Sequence, residues 1–107
     1  MKSTITKDIQ HIIKQIVIGY HPEKIILFGS CARSAQTVKS DIDLVIIKET
    51  DDRFVDRLKK IATVVKTWEA ADFLVYTPQE WNEALSKEHY FIMEIAHTGR
   101  VLYEKKS

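Results

Sequence analysis

Apolar residues recur at three- and four-residue steps through Ile9, Ile12, Ile13, Ile16, Val17 and Tyr20, one stripe of an amphipathic helix predicted from about Thr6 to Gly19. Gly19 and Pro22 supply its stop signal. Two runs, Ile25 to Phe28 and Leu44 to Ile47, contain no polar residue at all. Runs this short and unbroken predict strands with helices over both faces. Lys48 to Arg53 is charged and turn-like, after which Phe54, Val55, Leu58, Ile61, Ala62 and Val65 describe a second helix whose charges form a solvated face. Ala71 to Tyr76 reads as a third strand, with Asp72 its one charge. Thr77-Pro78-Gln79-Glu80 follows as N-cap, first-turn proline and capping-box glutamate. Trp81 and Leu85, then Tyr90, Phe91, Ile95 and Ala96 after a break, continue helical packing, the four aromatic residues Trp81, Tyr90, Phe91 and Tyr103 being expected in the core first and at an interface second. Gly99 is expected to cap this region in the left-handed conformation, and Val101 to Tyr103 forms a short last strand before a polar tail. Strands alternating with helices give an α/β (α+β) architecture, a small sheet packed with helices.

Composition narrows the class. At 107 residues, 45% of them hydrophobic, the chain is expected to form a single domain over 1–107. Sixteen basic residues against fifteen acidic leave a net charge of +1, so no basic field favours long nucleic-acid tracts. One cysteine, Cys31, excludes an internal disulfide framework, and no apolar run suits a signal peptide or membrane span, so a cytoplasmic protein is the expectation. His11 and His21, and likewise His89 and His97, are read as packing or surface residues rather than as ligands.

The chemistry concentrates between the first two strands, in Ile25 to Ile47. Asp41 and Asp43 open a strand whose continuation is buried, and residues two apart on a strand project from one face about 6 to 7 Å apart. Two carboxylates at ~4 Å repel by roughly 4 kcal/mol at an effective dielectric of about 20, which calls for a cation between them. Mg2+ fits, since it takes oxygen ligands and is usually held by one or two carboxylates plus substrate phosphates. Gly29-Ser30, ending the preceding strand, allows a sharp turn and offers donors to phosphate oxygens. Arg33 adds a fixed charge, and a short helical turn over Ser30 to Ser34 would aim its amides at the anion. Lys39 is read as solvent-facing.

Gly29-Ser30, ten intervening residues and Asp41-Ile42-Asp43 together resemble the signature of the polymerase-beta-like nucleotidyltransferases, with Ala32-Arg33 and Ser40 in the family's flanking positions. Ser34 stands where the family usually has glycine. Asp72 fits the family's third carboxylate on a later strand. The resemblance spans roughly Ile25 to Trp81 and points to the minimal, MNT-type branch and to a mixed β-sheet. It implies two Mg2+ ions at Asp41, Asp43 and Asp72, with ATP as substrate. Gly29 and Ser30 would hold the β- and γ-phosphates, with Arg33 and Ser40 beside them, and Asp72 would serve as metal ligand or general base near the acceptor.

Relatives that modify antibiotics or RNA carry further domains for the acceptor, so the resemblance implies recognition jointly with another protein. Minimal domains of this type pair with HEPN-domain toxins and transfer AMP to a toxin tyrosine. The expected function is therefore Mg2+-dependent nucleotidyl transfer as an antitoxin, in a homo- or hetero-oligomer, the alternative being a nucleotide-binding regulator that occludes its partner without catalysis.

Overall fold

A computed structural model describes residues 6–29 and 41–106. Helix α1 (Lys7–Tyr20) starts at Thr6, whose hydroxyl accepts from the Ile9 amide at 3.2 Å, with Asp8 favourably placed in the first turn. It does not stop at Gly19. His21 is the left-handed cap, at φ 55°, and its amide donates to the Val17 carbonyl. Gly19 serves instead as a thin point in the helix wall: a Cβ there would lie 2.8 Å from the Val64 side chain of the neighbouring helix.

Strands β1 (Lys24–Phe28), β2 (Ile42–Ile47), β3 (Ala71–Tyr76) and β4 (Arg100–Glu104) form one sheet in the order β3-β2-β1-β4. β2 and β3 are parallel, whereas β1 is antiparallel to both its neighbours, so the sheet is mixed as expected. The parallel pair needs a crossover, which α2 (Phe54–Val64) provides. α3 (Pro78–Ser86) and α4 (Tyr90–Thr98) follow β3.

Two apolar clusters show how the layers stack. Ile9, Ile12, Ile16 and Tyr20 of α1 and Ile61 of α2 pack on Ile25, Leu27, Leu44, Ile46 and Val75. On the opposite face Trp81 of α3 and Ile92 and Ile95 of α4 pack on Ile26, Val45 and Ile47. Helices thus cover both faces, which is why Leu44 to Ile47 is uninterruptedly apolar. Each fully buried Leu, Ile or Val contributes about 1.5–3 kcal/mol.

Three expectations fail here. Arg57 is not on a solvated face: it is 6% exposed, and α2 buries it beside Ile61. Its guanidinium grips Glu80 with two bonds of 2.8 and 3.1 Å and also donates to the Asp52 and Val75 carbonyls at 2.9 and 3.1 Å. Burial is tolerable because these bonds occupy the fork. Gly99 has φ −75° and is not left-handed; a Cβ would meet the Ile95 carbonyl at 2.6 Å and the Ile26 side chain at 2.7 Å, so space is what demands glycine. Tyr90 and Phe91 are exposed rather than core, whereas Trp81 is buried as expected.

The Arg57 link also closes the capping box, since Glu80 accepts from the Thr77 amide at 2.9 Å while the Thr77 hydroxyl accepts from the Glu80 amide at 3.0 Å. Arg57 holds the Glu80 carboxyl below its ordinary value of 4.5. A depressed carboxyl contributes stability that is present above its ordinary value and lost as pH falls through the lower folded value. Arg57→Ala is expected to lower stability by about 2 kcal/mol in urea unfolding. Glu80→Gln is expected to cost less and to flatten the acid limb of a stability–pH curve below 4.5.

Candidate active site

Strand register brings the expected carboxylates together. Phe28 at the end of β1 pairs with Asp43 near the start of β2, and Asp43 pairs with Asp72 near the start of β3. Directly paired residues point to the same face, so Asp43 and Asp72 project on the α3/α4 side, at the end of the sheet where β1 finishes and β2 and β3 begin. Asp41 lies one residue before β2, whose first amide, that of Ile42, donates to the Ala70 carbonyl at 2.9 Å. Asp41 and Asp72 are exposed and Asp43 is half-buried.

The electrostatics follow from that placement. Burial first, and then the charges of Asp72 and Asp41, push the Asp43 carboxyl above its ordinary value of 3.8. Asp41 and Asp72 thus lie close enough to Asp43 to disfavour its charge, and negative charge concentrates at this end of the sheet. Among the described residues, no three His, Cys, Asp or Glu side chains converge into a metal-binding group by themselves. Mg2+ characteristically takes one or two carboxylates and completes its shell with water and phosphate oxygens, so the donor chemistry of Asp41 and Asp43 fits it.

Gly29 meets this group from β1. Its φ of 81° lies where side chains are strained, and a Cβ there would sit 2.6 Å from Asp43 Oδ2. Only a bare backbone can turn this closely past the carboxylate. The other phosphate-side expectations, Ser30, Arg33 and Ser40, together with Lys39 and the turn over Ser30 to Ser34, lie outside the described residues.

Two residues at this end escaped sequence reading. The Phe91 ring stands edge-on to Phe28, centroids 5.9 Å apart and planes at 87°. Arg100 begins β4 opposite Leu27, one residue from the Phe28–Asp43 pair but on the sheet's other face. Neither has a local signal: Phe91 continues an apolar helical pattern, and Arg100 reaches the site's end through pairing across most of the chain. A cavity of about 440 Å3 lies at the opposite end, lined among others by Glu23, Lys24, Trp81 and Glu104. It contains the Lys24–Glu104 pair at 3.6 Å, and none of the three aspartates is among its lining residues.

Among the described residues, no helix is long and apolar enough to cross a membrane. In comparison with known proteins, a protein of Methanocaldococcus jannaschii provisionally named a protein adenylyltransferase is 34% identical over 82 residues, 76% of this chain and 78% of that one. The crystal structure of a provisionally assigned nucleotidyltransferase from Sulfolobus solfataricus superposes with a TM-score of 0.63 at 17% identity, covering 98% of this chain and 90% of that one. A structure described as a toxin-antitoxin with AMP-PNP superposes at 0.59 and 17% identity, over 91% of this chain and 73% of that one. The family described as Polymerase beta, Nucleotidyltransferase matches residues 8–107. A mixed sheet that sets a glycine turn against paired aspartates, and a family match over nearly the whole chain, lead to one conclusion: this protein belongs to the polymerase beta nucleotidyltransferase family.

Proposed function

We propose that this chain transfers AMP from ATP, with Mg2+, to a tyrosine of a partner protein, a HEPN-type toxin, and neutralises it as the antitoxin of the pair. The observation that carries the nucleotidyl-transfer half is the register that sets Asp43 between Gly29 and Asp72. The protein acceptor is supported by the archaeal relative's name, and the toxin partner by the toxin-antitoxin neighbour.

The division of labour follows from position. Asp41 and Asp43 would hold Mg2+, which when bound supplies positive charge to the triphosphate and its leaving group. The turn at Gly29 lets backbone approach phosphate oxygens that a side chain would exclude. Ser30, Arg33 and Ser40 are proposed to complete that cradle. Asp72, which is exposed on edge strand β3, would meet the incoming acceptor as general base and take the phenolic proton, or join the metal ligands. The phenol oxygen attacks the α-phosphorus, the bond to the β-phosphate breaks, and pyrophosphate leaves. The tyrosine gains a bulky anion that blocks an RNA-binding surface by charge and volume.

Four measurements test this reading. Calorimetry is expected to show ATP affinity that depends on Mg2+ and collapses in Asp41→Asn/Asp43→Asn; unchanged affinity in the double variant would place the nucleotide elsewhere. Asp43→Asn alone is expected to raise the Tm of the ligand-free protein by a few degrees at neutral pH, because it removes a half-buried charge repelled by two neighbours. The raised carboxyl makes the folded state hold its proton more tightly, so the wild-type handicap grows as pH rises through that carboxyl's titration. Asp72→Asn is expected to lose transfer while keeping most ATP binding. In cells, wild-type protein relieves the partner's toxicity and leaves an AMP adduct visible by intact mass, and Asp41→Asn/Asp43→Asn does neither. Protection by a folded double variant without any adduct would instead establish occlusion, the binding-module mechanism.

A further inference from the structure

We propose that Phe91, braced by Phe28, is the platform on which the nucleobase of the bound triphosphate stacks. The inference rests on reading the aspartate end of the sheet as the nucleotide site. Phe28 pairs directly with Asp43 and precedes Gly29, so its side chain shares a face and a border with the proposed metal and phosphate positions. Phe91 reaches that border from the first turn of α4. Its neighbours Ile92 and Ile95 are buried against the sheet, yet Phe91 remains 41% exposed. The ring is thus partly open to solvent on the α3/α4 side of the sheet, the side on which Asp43 and Asp72 project.

The pair's geometry decides what it can accept. In an edge-to-face arrangement the two rings cannot cover both of each other's faces, so at least one face of Phe91 is left uncovered by Phe28. Phe28 is itself half-buried and packed against the α3/α4 core, so it braces the Phe91 ring from one side. A nucleobase offers the matching surface, since every base has a π-face and stacking on an aromatic side chain needs no hydrogen-bond code. The platform therefore holds the base end of a nucleoside triphosphate whose phosphates lie at Gly29 and the aspartates. It contributes affinity and orientation, and discriminates only weakly between adenine and guanine.

The test compares ATP, GTP and inorganic tripolyphosphate, each with Mg2+, by calorimetry on the full chain. Phe91→Ala and Phe91→Leu are expected to weaken ATP and GTP about 10-fold or more while leaving tripolyphosphate affinity unchanged, and Phe91→Tyr to retain wild-type affinity for all three. Phe91→Leu keeps apolar volume without a π-face, so its loss separates stacking from packing. ATP binding unaffected by both variants overturns the platform, as does an equal loss of ATP and tripolyphosphate, which would make Phe91 merely structural. Wild-type protein that binds neither ATP nor tripolyphosphate overturns the nucleotide site, and the platform with it.

Discussion

The register of three strands is the constraint from which the rest of the molecule follows. Asp43 can stand between Phe28 and Asp72 only because Leu44 to Ile47 lock into apolar layers on both sides. A slip of one residue would turn Asp43 into the α1/α2 core and move Leu44 and Ile46 to the α3/α4 side, away from the partners they pack on. The hydrophobic core therefore sets the chemistry's geometry, although no core residue takes part in it. Its burial also outweighs the unfavourable setting of the Asp43 charge, a local cost in a structure stabilised elsewhere.

The two ends of the sheet are built to different rules. At the end where β2 and β3 finish, charges are satisfied: Arg57 joins α2 to the start of α3 through Glu80, and Lys60 pairs with Asp52 at 2.7 Å. At the aspartate end, like charges stand side by side and aromatic rings meet solvent. One end is thus tied together by ion pairs, and the other carries a carboxyl whose charge its surroundings disfavour.

Much of this was legible in the residues. The strand at Ala71 to Tyr76 and the Thr77-Pro78-Glu80 cap were readable because local rules alone determine them. The pairing of Asp43 with Asp72 was anticipated only through family likeness, since spacing along the chain says nothing about parallel register. Arg57 was misread because its partner lies 23 residues away and already had a local role as capping glutamate. Gly19 and Gly99 look like helix stops in sequence, yet both are required by neighbours that come near them only in the folded chain, Val64 in one case and Ile26 in the other. Exposure of Phe91 likewise depends on where the sheet ends, which no helical period encodes.

The pairing of β1 with β4 has a consequence for how the protein is made. β1 is central in the sheet, but its second neighbour, Arg100–Glu104, is synthesised only after β2, β3 and the helices α2 to α4. Until they emerge, one side of β1 presents unpaired backbone groups in a segment, Lys24–Phe28, that is almost wholly apolar. The nascent chain therefore carries a sticky edge until β4 is made, and closure comes as a late, long-range step that loop entropy makes slow. An edge left open in that interval is free to pair with a wrong strand, a hazard that the finished sheet does not carry on this side of β1.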